Sequence, residues 1–344
     1  MKERPDISPV VYWRADSQAA RGFTLVELLV VIAIIALLIG ILIPALGTAN
    51  KMGQRTVCMA HLRGAGQAMI IYANSNNDFL AGPNTSGSKL NGNQLVNANT
   101  SDAPIQNFDW ISPTLAGSLT LSSDPNQRLA DIFKIKLRCP SNREVYTGGA
   151  FGGLTVPANA LPLPIGSYSA ITNFLVNPDS TWNSVPVVNG NKDIFMESWV
   201  AKVVSVPLTY APKLSSVGDA TRKIAALDGT RYVDQTTGVE TYNSAAKQIE
   251  GGNFSVIGPS MSYVVSNGEP YRRDTSALLK ISRRFAYRHV GDTLNAVFYD
   301  GHAQNLTAKQ STRVDMHFPT GSKVVDPTQL APSDTTFAKN AILP

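Results

Sequence analysis

The sequence predicts an α+β fold, in which a long N-terminal helix packs on an antiparallel β-sheet domain with large loop-rich insertions. Three features of the 344-residue chain support this prediction. Residues 23–43 form an apolar run, and apolar residues keep a helical spacing to about residue 75. Short β-like runs separated by turns fill the later part of the chain. They lie at 199–205, 222–228, 254–257, 261–265, 294–299 and 303–307.

Composition and short motifs narrow the classes of function. Hydrophobic residues make up 43% of the chain and charged residues 16%, and the net charge of +5 is spread without a run of Lys or Arg. A weak, unclustered positive charge argues against a nucleic-acid partner. The chain lacks G-x-S-x-G, H-E-x-x-H, phosphate-loop and dinucleotide-binding motifs. We therefore expect neither enzymatic activity nor a cofactor.

The apolar run at 23–43 spans roughly 31 Å as a helix, about the thickness of a bilayer core. Three interpretations compete. A secretory signal would be shorter and would be followed by a small-residue cleavage site, which the residues after this run match poorly. An ordinary membrane anchor does not explain Glu27, because a carboxylate in a membrane helix costs roughly 3 kcal/mol and usually marks a function. The third interpretation is a signal that is cut before the apolar run.

The residues before this run carry a resemblance to a known family. The sequence RGFTLVE at 21–27 resembles the cleavage site of type IV prepilins and of type II secretion pseudopilins. In that family a membrane aspartyl peptidase cuts after the glycine and N-methylates the new terminal phenylalanine. The resemblance implies that prepilin peptidase cuts this chain between Gly22 and Phe23. Gly22 suits this role, since a residue without a side chain lets the backbone enter a narrow protease cleft.

The same resemblance gives Glu27 an assembly role. A carboxylate in lipid needs a partner, and in a filament the cationic amine of a neighbouring subunit's Phe23 would supply it. Such a pair would set the axial register between subunits and would disfavour wrong offsets. Pro44, just beyond the membrane segment, is expected to kink or locally melt the helix.

The resemblance also implies how the chain is organised and what it does. We expect a pilin-like subunit of a type IV pilus-like or type II secretion pseudopilus filament, with prepilin peptidase and other pilin or pseudopilin subunits as partners. It would cross the inner (cytoplasmic) membrane once, with its domain outside the cytoplasm. The alternative is a helix-anchored protein that binds polysaccharide or a secreted substrate without forming filaments. The expected segments are a leader at 1–22, a helix at 23–75 with 23–43 in the membrane, a soluble β-rich domain at 76–317 and an extended tail at 318–344.

Other segments resemble a large pilin-like family with a C-terminal "processing-associated" motif. In that motif nine residues separate a histidine from Asp-Gly. Residues 56–80, 137–142 and 166–174 resemble the conserved segments of that family, although His61 stands where Asn is usual. The motif itself corresponds to RHVGDTLNAVFYDGHAQ at 288–304. Here ten residues separate His289 from Asp300, so we expect one additional residue in the turn that follows His289.

The C-terminal motif reads as a β-hairpin with a tight turn at Asp300-Gly301, in which Gly301 takes a positive φ. We expect His289, Asp300 and His302 to have structural roles rather than catalytic ones, and we expect no metal there. The alternative is a small metal site with Asp228, His289, Asp300 and His302 as candidate ligands. Their imidazoles would favour a transition metal, whereas calcium prefers oxygen ligands.

Two cysteines, Cys58 and Cys139, form no C-x-x-C motif, so the sequence does not support a zinc ribbon or a thioredoxin-type site. Outside the cytoplasm they are expected to form a disulfide, and the alternative is two buried free thiols. Cys58 belongs to a helical stripe with a spacing of three and four residues, which is expected to face the domain. The other members of the stripe are Leu62, Ala65, Met69 and Tyr72.

Overall fold

The computed structural model divides into two compact units, one ending at Ala49 and the other beginning at Asn50. The predicted leader and the run at 261–265 lie outside the residues that the structure describes. The described residues are 23–82, 89–91, 94–96, 100–105, 109–142, 145–146, 150–151, 154–155, 158–160, 162–164, 166–175, 187–188, 191–192, 204–229, 255–256, 285–327, 330 and 336–344.

A single helix, α1 (Leu25–Ser75), contains 51 residues, as the apolar periodicity predicted. Its first part is long and apolar enough to cross a membrane, and its large hydrophobic side chains are exposed. Pro44 was expected to kink or locally melt the helix, and the helix continues through it, so it does not melt there. Proline removes one hydrogen bond of the helical ladder, and the flanking turns keep theirs.

The part of α1 from Asn50 onward buries one face against the domain. The predicted stripe is buried at Cys58, Leu62, Ala65 and Met69, whereas Tyr72 is half-buried. Gly66 and Ala73 extend the same face. The fold is therefore α+β, with a long helix packed on a sheet.

The central sheet has five strands, which are β12 (Ser255–Val256), β7 (Tyr168–Ile171), β11 (Ile224–Asp228), β13 (Thr293–Phe298) and β14 (Ala303–Thr307) in their order across the sheet. From β7 to β14 each strand pairs antiparallel with its neighbour, and β12 adds to β7 in parallel. All residues of β11 and β13 are buried, so both faces of the sheet centre are covered.

The remaining described strands form small two-stranded ladders, which pair β1 with β2, β3 with β6, β4 with β5, β8 with β9, and β10 with β15. They are β1 (Lys89–Asn91), β2 (Gln94–Val96), β3 (Val145–Tyr146), β4 (Ala150–Phe151), β5 (Leu154–Thr155), β6 (Leu163–Pro164), β8 (Val187–Val188), β9 (Asn191–Lys192), β10 (Val204–Ser205) and β15 (Lys323–Val324). The short helices are α2 (Ile111–Leu119), α3 (Pro125–Ala130), which continues as a π-helix at Asp131–Lys136, and α4 (Ala308–Ser311).

The chain beyond α4 returns to the domain. β15 pairs with β10, and Phe318 and Leu343 are buried. The buried ammonium of Lys223 donates to the carbonyl oxygens of Asp315 (2.7 Å) and Pro344 (2.6 Å). Burial lowers the pKa of Lys223 to about 8. The residues expected to form an extended tail are therefore packed where the structure describes them.

Gly66 controls how closely α1 approaches the sheet. A Cβ at this position would lie 2.4 Å from Cγ2 of the buried Val297 in β13, whereas a Cβ at Gly64 would have no neighbour within 4 Å. We expect Gly66→Ala to destabilise the domain by about 1–2 kcal/mol, because overpacking outweighs the gain in helix propensity. Gly64→Ala should stabilise it by about 0.5–1 kcal/mol. Urea denaturation of the two variants measures both effects, and equal shifts would contradict the packing argument.

Candidate functional site

The start of α1 is closed by a reciprocal set of hydrogen bonds between Thr24 and Glu27. The Glu27 carboxylate accepts from the Thr24 backbone N–H (2.9 Å) and hydroxyl (2.8 Å), and the Glu27 N–H donates to Thr24 Oγ1 (3.2 Å). This is a capping box, which satisfies donors that a helix start leaves unpaired. The T-x-x-E spacing was visible in the sequence, but our sequence analysis did not use it. The carboxylate thus has local partners while its side chain stays exposed.

A second group of polar residues is buried between α1 and the sheet. His289 Nε2 lies 2.9 Å from Asp228 Oδ2, and both side chains are fully buried. The same carboxylate oxygen accepts the backbone N–H of Asn295 (2.6 Å). Asp228 ends β11, His289 precedes the turn into β13, and Asn295 lies within β13. Strand pairing therefore assembles the group from residues that are far apart in the chain.

Hydrogen bonds connect this group to α1. Asn295 Nδ2 donates to the Arg55 carbonyl oxygen (3.3 Å), and the Ser141 hydroxyl donates to Gln54 Oε1 (3.2 Å). Ser141 Oγ also lies 3.5 Å from His289 Nδ1. The histidine of the C-terminal motif is thus held by the sheet on one side and by the 139–142 loop on the other.

The disulfide predicted between Cys58 and Cys139 is present in the structure. It joins α1 to the 139–142 loop, with a sequence separation of 81 and a Cα–Cα distance of 5.1 Å. Constraining a loop of this length is worth roughly 4.5 kcal/mol in the chain-entropy model. The loop is also held by Ser167, whose hydroxyl accepts from the Cys139 N–H and from Asn142 Nδ2, both at 3.0 Å.

Asp300 and His302 form a separate pair at the far end of the β13–β14 hairpin. The turn has the predicted geometry, with Gly301 at a φ of 87°. His302 Nδ1 lies 2.6 Å from Asp300 Oδ1, and its partly exposed ring stacks on Phe298 at 4.2 Å. The four candidate metal ligands therefore form two pairs at opposite ends of β13 and do not build one site.

A tight turn follows His289 and leads into β13. The His289 N–H donates to the Thr293 carbonyl oxygen (3.1 Å), which closes a tight turn before β13. Gly291 and Asp292 both take positive φ, at 75° and 55°. The placement of the motif's additional residue in this turn stays a prediction.

His61 joins the buried group from α1. Its Nδ1 lies 3.1 Å from the Tyr168 hydroxyl, and Tyr168 is the β7 partner of Asp228 in the sheet register. Burial raises the pKa of Tyr168 well above its usual value, and the Asp228 carboxylate adds to the effect. The hydroxyl therefore stays protonated and can donate to the imidazole.

A second buried ionic group, which the sequence did not predict, is centred on Asp315. Asp315 is buried and accepts from Arg222 (2.7 Å) and Arg313 (2.9 Å). His317 is also fully buried and donates from Nε2 to the Ser311 carbonyl oxygen (2.6 Å). Burial lowers the pKa of His317 to about 4, so the ring is neutral near pH 7. No motif in the sequence marked these residues, and one of the partners of Asp315, Arg222, lies in a distant segment.

Comparison with known proteins now defines the N-terminal segment. Residues 17–43 match the prokaryotic N-terminal methylation motif, which confirms the predicted prepilin-type N-terminus. The chain is also similar to the type IV wide pilus major component PilA4 of Thermus thermophilus, with 48% identity over 60 residues. The match covers 17% of this chain and 46% of that relative, so it spans just under half of the relative's length. No solved structure matches the chain.

The two Asp–His pairs give a matched test of the buried group. Asp228→Ala should destabilise the domain by about 3 kcal/mol or more, because it leaves His289 and the Asn295 N–H buried without their acceptor. Asp300→Ala should change the stability by less than about 1 kcal/mol, since that pair is partly exposed. Equilibrium denaturation with the disulfide intact measures both losses. Losses of equal size would contradict a special role for the buried pair.

Proposed function

We propose that this chain is a pilin or pseudopilin subunit that prepilin peptidase cuts between Gly22 and Phe23 and that assembles into a filament through α1. The observation that carries the proposal is the match of 17–43 to the methylation motif. In the structure the described part of this segment is an exposed apolar helix, and the Glu27 carboxylate accepts the Thr24 N–H at its start. An exposed apolar surface of this kind requires lipid or other apolar helices around it.

The similarity to a pilus component supports assembly with further pilin subunits. A type IV pilus-like filament and a type II secretion pseudopilus would use the same helix, and the proposal includes both. The membrane would be the inner membrane, with residues 1–22 forming the leader and the part from residue 76 onward outside the cytoplasm. The Cys58–Cys139 disulfide supports this side of the membrane, because disulfides persist in oxidising compartments.

A second candidate function follows from the size of the second unit. The similarity to the pilus component covers only 17% of this chain, whereas the second unit runs from Asn50 to Pro344. Much of that unit can therefore serve contacts that a minimal filament subunit does not need. On this alternative α1 is only an anchor, and the domain binds polysaccharide or a secreted substrate.

Processing gives the first test of the proposal. The mature protein should begin at Phe23, with the mass of a methyl group added to its N-terminus. Replacing Gly22 with Leu should leave the precursor uncut, because a bulky side chain does not fit a cleft that accepts glycine. Mass spectrometry of the membrane-bound protein distinguishes these forms. A mature chain that begins at Met1, or after residue 43, would refute the prepilin assignment.

A variant of Glu27 tests filament assembly separately from membrane anchoring. Glu27→Leu removes the carboxylate, so membrane insertion should persist or improve while incorporation into filaments falls severalfold. Thr24→Val is the control, since it removes the hydroxyl partner in the capping box and keeps the charge. Immunoblotting of sheared filaments and membranes measures the partition. Normal incorporation of Glu27→Leu would argue against pairing with Phe23, whereas absence of the wild-type protein from sheared filaments would favour the anchor alternative.

A further inference from the structure

Three buried side chains with metal-binding atoms meet beneath α1. Cys58 lies on the helix, Cys139 on the adjacent loop and His289 at the start of the motif hairpin. One donor atom of each lies within 4.8 Å of the other two. Two sulfurs and an imidazole nitrogen are a ligand set that zinc-type cations prefer. The sequence did not predict this set, because the spacing of the cysteines matches no metal motif and His289 approaches them only in the folded chain.

The surroundings of His289 resemble those of a metal-binding histidine, because a carboxylate holds one of its ring nitrogens. Its Nε2 is held by the Asp228 carboxylate at 2.9 Å, which leaves Nδ1 as the nitrogen available to a cation. Metal-binding histidines commonly donate their other ring N–H to a carboxylate in this way, which fixes the tautomer and strengthens the ligand. Ser141 Oγ, 3.5 Å from Nδ1, offers an oxygen near the same side of the ring.

The charge of the pocket also suits a cation. Asp228 is fully buried, and its Oδ1 has no hydrogen-bond partner among the described residues. A buried carboxylate oxygen without a partner is costly, and a divalent cation on the neighbouring imidazole would offset its charge.

We propose that the thiol form of this protein, which precedes the disulfide, binds one zinc-type divalent cation through Cys58, Cys139 and His289. Binding converts the two thiols into thiolates and releases two protons. A disulfide oxidant then accepts two electrons from the thiolates and two protons from the solvent and is reduced to a dithiol, while the S–S bond of Cys58 and Cys139 forms and the cation leaves. The metal site and the disulfide use the same sulfur atoms, so each excludes the other.

The backbone allows both states. Two thiolates on one zinc lie about 3.8 Å apart when each Zn–S bond is about 2.3 Å. Rotation of the two cysteine side chains can reach that separation from the present Cα–Cα distance of 5.1 Å. The fourth position of a tetrahedral site remains for an oxygen ligand. The inference does not depend on processing or filament assembly, and its test leaves both unaffected.

Titration of the purified full chain in detergent tests the proposal. The disulfide is reduced with a phosphine, which leaves no competing thiol, and Co²⁺ is added without oxygen. We expect one equivalent of Co²⁺ to bind, with thiolate-to-cobalt charge-transfer absorption that Zn²⁺ abolishes by displacement. The oxidised chain should show no such absorption. Circular dichroism of the same samples reports whether the reduced chain is folded.

Variants assign the ligands. Cys139→Ser should remove most of the charge-transfer absorption, and His289→Gln should weaken Co²⁺ binding and shift the visible bands. Asp228→Asn should weaken binding about 10–100-fold through the imidazole. His302→Gln is the matched control and should bind like the wild type. Equal binding by the oxidised and reduced chains would overturn the proposal, and so would His289→Gln spectra identical to those of the wild type. A reduced chain that binds less than one equivalent would also overturn it, whether it stays folded or unfolds on reduction and is not refolded by Zn²⁺.

Discussion

The contact between the second part of α1 and strand β13 is the constraint on which the domain depends. Gly66 lets the helix approach Val297 closely, and about three turns earlier in α1 the Arg55 carbonyl accepts from Asn295 of the same strand. Because β13 lies at the centre of the antiparallel strands, its register against α1 also positions its neighbours. The Cys58–Cys139 disulfide then holds the loop that covers this junction. Apolar packing, buried hydrogen bonds and a covalent link therefore meet within a short stretch of one helix.

The features that the sequence predicted correctly are those with a local signal. The α1 periodicity, the motif hairpin and its positive-φ glycine each depend on residues within a few positions of one another. The disulfide could be predicted because the chain has only two cysteines. The T-x-x-E cap at 24–27 is also local and could have been predicted from the sequence. The strands at 224–228 and 293–298 also lay within a residue or two of their predicted positions.

The buried group could not be predicted, because it depends on which strands pair. Asp228 and Asp300 each precede a glycine at the end of an apolar run, and the sequence treats them alike. The sheet places Asp228 beside Tyr168 and Asn295 in its buried centre, whereas Asp300 projects from a hairpin turn at the edge. Likewise, Lys223 looks like an ordinary surface residue until the returning C-terminal segment covers it. Long-range pairing therefore decides which polar residues are costly to bury.

Two carboxylates show how the fold manages charge in apolar surroundings by opposite means. Glu27 stands in an apolar helix, and its hydrogen bonds come from Thr24 three residues away, so it is satisfied before any tertiary or subunit contact forms. It remains exposed and available to a further partner. Asp228 has the reverse arrangement, since its partners come from distant segments and its environment exists only in the folded domain. A local cap thus leaves Glu27 available for the proposed pairing with a neighbouring subunit, while the buried network confines Asp228 to orienting His289 within the domain.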